Sequence, residues 1–457
     1  MRELFLPDKN FRNQVLKTAG PIAFQNISVS LLSLMDTAII KSLGEGPMGA
    51  VSLANQLTFL TNNMTFGLSS GASVYLSRYH GERNGEKIRE TLFVSVFLSL
   101  CLNLAVALFA ILLPGRVMGI MTDHGELIQM GGQYLRLSAV SYLCMAVSYS
   151  MTALFRSIGK AHYVLVPTCI SLGLKTLLNF LLVHGAGIFP ALGIAGAGIA
   201  TVVSKAVELS VYLVLYSRTV EPSYKLTLSR CRDITFAKCR SFLKKTYAVV
   251  LNESLWAVGL SMFSIIFGRM AVTEISALNI AKTLEELFNS LFYGVAISAV
   301  VILGADIGAG RMEEAKRNAK RFLILGAETG LVILVVMAAA GGMIVDRFFG
   351  GLLPETRQTA KILILEFAVY MPFRSAASAA IMGVMRAGGE SRRAMVYDVL
   401  PVYAWSLPVG FLLGMVFHLP MAVVLPAMYF KRVIKAFFSL RRVLQGKWLN
   451  RGEPADA

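Results

Sequence analysis

Twelve stretches of this chain are apolar for long enough to cross a bilayer, and only short polar intervals separate them. They run near 18–43, 47–77, 91–114, 127–155, 162–184, 192–217, 246–268, 275–304, 322–345, 359–385, 394–417 and 419–440. A helix needs roughly 20 apolar residues to cross ~30 Å of hydrocarbon, so several of these are long enough to tilt or to extend beyond it. Inside hydrocarbon every backbone polar group must find a partner within the protein, which leaves helices and closed barrels. Barrel strands alternate in polarity over ~10 residues. These runs of Ala, Gly, Leu and Ile do not. The expected fold class is therefore all-α integral membrane, with 12 transmembrane helices. Small residues inside the spans, Gly193, Gly196 and Gly198 with Ala195, Ala197 and Ala200, favour close helix packing. A hydrophobic fraction of 55% and a charged fraction of 16% exclude both a disordered chain and a string of soluble domains.

A net charge of +17 cannot lie in lipid, so its location is informative. With both termini and the even-numbered loops on one side, Lys and Arg number 4 before the first span and 4 in 78–89. They number 2 in 156–160, 8 in 218–245, 5 in 311–321, 3 in 386–393 and 7 from 431 onward. That side holds 33 of 44, and the other holds only Lys41, Arg116, Arg269, Arg347, Arg357 and Lys361. The bias predicts cytoplasmic termini, an even number of spans and contact with anionic lipid at the cytoplasmic face of the cell membrane. Because the charge is scattered over seven short segments, no nucleic-acid face is expected. Cys101, Cys144, Cys169, Cys231 and Cys239 match no zinc or disulfide pattern and read as structural. The five histidines sit at or near span ends, and no metal or cofactor is expected. Residues 1–9 lack the apolar core and cleavage site of a signal peptide.

The basic linker divides the chain into similar halves: 1–220 with spans 1–6, the linker 221–245, and 246–457 with spans 7–12 and a basic tail. Gly81 and Gly308 align at an offset of 227, which also pairs Gln25-Asn26 with Asn252-Glu253 and Ala50 with Ala277. Phe-Arg-Ser-Ile-Gly-Lys (155–160) matches Met-Arg-Ala-Gly-Gly-Glu (385–390) at an offset of 230. Two pseudo-symmetric six-helix bundles around a central cleft are implied, the architecture that secondary transporters use for alternating access. No phosphate-binding loop for ATP and no hydrolase signature is present, so an enzyme is not expected.

Several segments resemble the MATE (multidrug and toxic compound extrusion) family of the MOP flippase superfamily. Asp36 in the first span precedes Ser-Leu-Gly-Glu-Gly-Pro-Met-Gly-Ala-Val-Ser-Leu-Ala (42–54), similar to the family's Gly-x-x-x-Ala-x-Ala pattern. The block Leu178 to Thr201 resembles the family's fifth- and sixth-helix motif, and Asn-Glu-Ser-Leu-Trp (252–256) and Met-Arg-Ala-Gly-Gly (385–389) match further segments. The resemblance implies an antiporter that exports organic, often cationic, compounds against H⁺ or Na⁺. It implies ion-coupling roles for Asp36, Asn179 and Glu253. There are departures: Val183 stands where some members carry an Asp, Arg374-Ser375 where others carry a tenth-helix Asp, and Arg78 where Gln is usual.

An ionisable residue within a span costs at least ~2.5–3.5 kcal/mol at the centre and is a functional candidate. Asp36 reads as a carboxylate that exchanges H⁺ or Na⁺ or is neutralised by a fixed partner. Lys175 and Asn179 share a helical face. Lys175 either pairs with Asp36 or Glu208, replacing the acid absent at Val183, or snorkels to an interface. Lys205 with Glu208, and Lys282 with Glu285 and Glu286, read as intrahelical pairs. Glu253 is the best C-lobe acid, and Asp398 is a candidate to line that lobe. Met35, Trp256 and Trp405 are the substrate-cleft candidates, the tryptophans as faces for a cation, whereas Trp448 reads as an interfacial anchor. Because these candidates lean acidic, a flippase of lipid-linked precursors, for which a cationic cavity is expected, is the alternative. A non-transporting membrane protein is a further one. A monomer acting on a small organic substrate is expected.

Overall fold

The computed structural model describes residues 9–185, 189–226, 235–268, 270, 272–349, 351 and 353–449. Cys231, in the linker, lies outside them. The described residues are helical throughout apart from short connections, with no strand among them. The first half comprises α1 (Lys9–Lys41), α2 (Glu45–Gly81), α3 (Gly85–Leu112), the short α4 (Pro114–Gly119), α5 (Gly125–Ser138), α6 (Ser141–Ser157), α7 (Leu165–His184) and α8 (Ile194–Thr219). The second comprises α9 (Phe236–Phe267), α10 (Val272–Gly308), α11 (Met312–Phe348), α12 (Pro354–Ser378), α13 (Ser391–Pro401), α14 (Leu407–Gly410), α15 (Met421–Tyr429) and α16 (Lys431–Leu444). Turns of π-helix extend α12 over Ala379–Met385 and flank α14 at Val402–Ser406 and Phe411–Val416.

The internal repeat is visible in helix lengths. Both α2 and α10 have 37 residues, and their first and last residues are offset by 227. The start of α9 lies 227 residues beyond that of α1. Eight helices are long and apolar enough to cross a membrane, and α5 with α6, bent by 51° at their junction, make a ninth. The other three expected spans correspond to α1, α2 and the pair α15–α16. At 33 and 37 residues, α1 and α2 are long enough, but they carry polar residues such as Gln25, Asp36, Asn55 and Asn63. The last span is interrupted at Phe430. The chain is thus an all-α, multi-pass membrane protein.

Contacts group the described residues into two compact units, one of Phe24–Glu253 and one of Met1–Ala23 with Ser254–Ala457. The division runs within α1 and α9 rather than through the linker, so Glu253 ends the first unit and Trp256 belongs to the second. In the first unit, Asn84 caps α3 by accepting from the Lys87 amide at 3.1 Å, which turns the chain after Gly81. Small residues set the distance between α7 and α8. A Cβ on Gly196 would lie 2.5 Å from the Leu182 carbonyl oxygen, so only glycine allows this approach. In the second unit, Trp448 is 2% exposed, and a Cβ on Gly388 would lie 2.1 Å from its carbonyl oxygen. Trp448 is therefore a core residue that seals the end of α16 against the 385–389 turn, not the interfacial anchor expected from its basic surroundings. The four described cysteines, Cys101, Cys144, Cys169 and Cys239, are unpaired.

Gly196→Ala is expected to destabilise the first unit by about 1–3 kcal/mol, because the neighbouring atom is backbone and cannot swing aside. The check is the thermal transition of the detergent-purified protein, which should fall for Gly196→Ala and stay put for Gly173→Ala, where a Cβ meets nothing within 4 Å.

Candidate functional site

In the first unit the sequence candidates converge on Asp36. Its side chain, 10% exposed, receives Lys175 Nζ at 2.8 Å on Oδ2. Asn179 Nδ2 donates to Oδ1 at 2.9 Å, and Thr176 Oγ1 donates to the same oxygen at 3.4 Å. One turn of α7 therefore supplies all three partners, since Lys175 and Asn179 are four residues apart and Thr176 lies between them. Asn179 is 1% exposed, and its own Oδ1 is buried without a partner. Val183, one turn further along, packs with Ile40, Val51 and Ala54 in an apolar cluster. The position where the family resemblance implies an acid in some members is here part of the core, and Lys175, one turn on the other side of Asn179, faces Asp36.

Glu208 takes its partner from its own helix: Lys205 Nζ lies 2.6 Å from its Oε2. Nearby α6, α7 and α1 are tied by Arg156 donating to Gln25 Oε1 at 2.8 Å and Gln25 Nε2 donating to Thr168 Oγ1 at 2.9 Å. Glu253 is buried at the end of this unit, its Cβ against the position of Gly67 on α2. Met35 is 53% exposed, beside Asp36 in sequence but not buried with it.

The second unit holds a charge cluster that the sequence reading distributed wrongly. Glu285 on α10 accepts from both Arg374 on α12 and Arg432 on α16. Lys282, expected to pair with Glu285 and Glu286, is in electrostatic reach of both but makes no direct ion pair with either among the described residues, and its Nζ lies over the Phe267 ring, 5.0 Å from its centre. Asp398 on α13 receives Lys435 Nζ at 2.7 Å. Lys431, Arg432 and Lys435 are 8%, 6% and 9% exposed. They were counted with the cytoplasmic tail, but Lys431 is ten residues into a span that begins at Met421. Ten residues of helix rise about 15 Å, half the hydrocarbon thickness. Counting residues from Met421, rather than assigning every basic residue after Phe430 to a tail, is the signal that finds them. With these three removed, the tail count falls to four and the cytoplasmic total to 30 of 44. The buried charges of this unit consequently lean basic, contrary to the acidic balance expected.

Trp405, 39% exposed, is spent on structure. Its Nε1 donates to the Ala427 carbonyl at 2.9 Å, and its ring rests against Phe430. Trp256 is half-buried on α9. Glu366 keeps a buried Oε2 without a partner.

Removing the counter-charge of two buried guanidiniums has a definite consequence. Glu285→Gln is expected to destabilise the protein by about 3–5 kcal/mol, because it leaves uncompensated charge in the helix bundle. Lys361→Gln, at the half-exposed 2.7 Å pair with Asp346, should change stability by less than about 1 kcal/mol. Thermal unfolding of the two variants side by side checks both values.

Known proteins share this helix arrangement and resemble the chain distantly in sequence. The probable multidrug resistance protein NorM of Thermotoga maritima is 20% identical over 447 residues, spanning 96% of this chain and 94% of that protein. A single-residue variant of the Vibrio cholerae MATE transporter VcmN superposes with a TM-score of 0.85 at 15% identity, over 96% of this chain and 98% of that one. A MOP superfamily transporter from Pyrococcus furiosus, described as having a binding pocket of reverse polarity, gives 0.81 at 16% identity over 97% of each chain. The MatE family model matches residues 21–181 and 250–412, one match in each half of the repeat. The chain belongs to the MatE family and is a membrane transporter rather than an enzyme.

Proposed function

We propose that this chain is a multidrug efflux transporter that exports small organic compounds, organic cations among them, across the cell membrane by alternating access in exchange for H⁺. The NorM relatives, whose names say multidrug resistance, support the export reading. The remaining charge bias of 30 basic residues against 6 supports cytoplasmic termini, and a monomer suffices for the reading.

The observation that carries the choice of ion is the ammonium of Lys175 at 2.8 Å from Asp36. A sodium ion would have to occupy the space beside the carboxylate that this ammonium already fills, and would be repelled by its charge. A proton has no such difficulty. It binds a carboxylate oxygen and releases Lys175, and the resulting carboxylic O–H finds an acceptor in the orphan Oδ1 of Asn179. Asp36 and Lys175 thus form a pair that opens on protonation and closes on release, with Asn179 positioned on both states. Glu253 and Glu208 are secondary coupling candidates on the same unit.

A second reading, a flippase for lipid-linked precursors, is favoured by one observation, the basic balance of the Arg374, Lys431 and Arg432 cluster.

In an exporter-deficient host the wild type should lower ethidium accumulation, and a protonophore should abolish that difference while removal of Na⁺ should leave it. Asp36→Asn should reduce efflux to background. Lys175→Met should move the pH profile of efflux. A wild type that changes accumulation of no tested cation would falsify the multidrug reading, and a Lys175→Met profile identical to wild type would remove the pair from the coupling step.

A further inference from the structure

The last span is broken, and the break is built rather than accidental. Helix α15 ends at Tyr429 and α16 begins at Lys431. An uninterrupted helix would bond the amides of Lys431 and Arg432 to the carbonyls of Ala427 and Met428. Those carbonyls are taken instead by side chains: Trp405 Nε1 donates to Ala427 and Ser406 Oγ to Met428, each at 2.9 Å. The Tyr370 hydroxyl donates at 2.9 Å to the neighbouring Pro426 carbonyl, which also keeps its helical bond from the Phe430 amide. The two amides are left as the free N-terminus of a 14-residue half-helix. Unbonded amides at a helix start can receive an anion, and broken membrane helices use them that way.

Two side chains at that end point independently to a ligand. Arg432 is 94% buried, and while one side of its guanidinium is held by Glu285, its Nη1 is buried without a hydrogen-bond partner. Lys431 is 92% buried and makes no hydrogen bond or ion pair among the described residues. Its Nζ lies 3.8 Å from the centre of the Phe263 ring and 5.2 Å from that of Tyr429, the same ring over which the Arg432 guanidinium sits at 4.1 Å. The charges around Lys431 are Lys435, Arg432 and Arg374 with one carboxylate, Glu285. Lys435 is neutralised by Asp398. Glu285 is held by Arg374 and Arg432, and Glu286 lies in the electrostatic reach of Arg374, so Lys431 is a buried basic group without a carboxylate bonded to it in a setting that disfavours unpaired charge.

We propose that the N-terminus of α16 is a binding site for the carboxylate of an organic anion, received by Lys431 Nζ, the free Nη1 of Arg432 and the half-helix amides. The donor set fits that group. One ammonium and one free guanidinium nitrogen match the two oxygens of a carboxylate. The aromatic faces of Phe263, Tyr429 and Phe367 around the basic groups suit the apolar body of an organic carboxylate rather than a bare phosphate. The proposal builds on the export reading in that the carboxylate is then part of the cargo, and it makes carboxylate-bearing and zwitterionic compounds substrates beside organic cations.

The test is equilibrium binding of radiolabelled benzoate to the detergent-purified full chain at neutral pH, with benzamide and inorganic pyrophosphate as competitors. Saturable benzoate binding that benzamide does not displace is expected, weakened at least ~10-fold in Lys431→Met, the equivalent of one lost charge-assisted contact. Arg432→Lys, which keeps the charge but withdraws the free Nη1, should weaken it also, and Lys361→Gln should not. Size-exclusion elution and thermal unfolding establish that each variant is folded. Absence of saturable benzoate binding by a wild type that exports ethidium would overturn the site and leave the export reading intact. Pyrophosphate binding without benzoate binding would overturn the carboxylate assignment in favour of the phosphate chemistry of a flippase. Unchanged affinity in a folded Lys431→Met would overturn it as well. Because binding is read without transport, a chain that binds benzoate as described but exports no ethidium would keep the site and sink the export reading.

Discussion

Hydrocarbon offers no hydrogen bonds and little screening, and every feature of this chain answers to that constraint. It forces the backbone into helices and the surplus basic residues out of the spans. It also penalises each charge that stays inside without a specific partner. Asp36 and Glu285 are the two clearest cases of a charge that has one. Each is a buried carboxylate that accepts from partners on other helices, one turn of α7 for Asp36 and both α12 and α16 for Glu285.

The same constraint explains where helices are allowed to be irregular. The break at Phe430 would be costly if the carbonyls it frees faced lipid, but Trp405 and Ser406 reach across to Ala427 and Met428, and Tyr370 adds a bond to Pro426. Two of those donors sit in a π-helical turn, Val402–Ser406, whose extra residue per turn re-aims side chains that a regular α-helix would direct elsewhere. Irregular backbone in one helix thus satisfies irregular backbone in the next. What the break leaves without a backbone partner is the pair of amides of Lys431 and Arg432.

Much of this was legible in the sequence, for identifiable reasons. Apolar runs report spans because hydropathy is a property of segments, and the offset of 227 residues recurs in the helix limits themselves. Asp36, Lys175 and Asn179 could be grouped because α7 puts positions four apart on one face, although spacing left Lys175 a choice between Asp36, Glu208 and an interface. The second unit was less legible. Glu285 has Lys282 within one turn, and local spacing favours that pair, but two arginines 89 and 147 residues away take the carboxylate instead. Lys431, Arg432 and Lys435 follow an apolar run and look like the start of a tail. A charge at the end of a run and a charge in the middle of a broken span have the same local sequence, and only depth counted from Met421 separates them. Trp448 was misread for the same reason: basic neighbours marked an interface, while packing on Gly388 made it core.

The two units therefore carry different electrostatics on related frameworks. In the first, one carboxylate faces one ammonium, so the pair is neutral and a proton arriving at Asp36 leaves a net positive charge behind. In the second, Glu285 faces two guanidiniums with Lys431 beside them, so the cluster is positive before anything binds. A neutral pair responds to protons, because protonation changes its charge and loosens its contact. A cluster already in excess of one sign responds to an anion, because the anion removes the excess. On related frameworks the interior charges thus differ, with Lys175 facing Asp36 in one unit and Arg374, Arg432 and Lys431 gathered near Glu285 in the other.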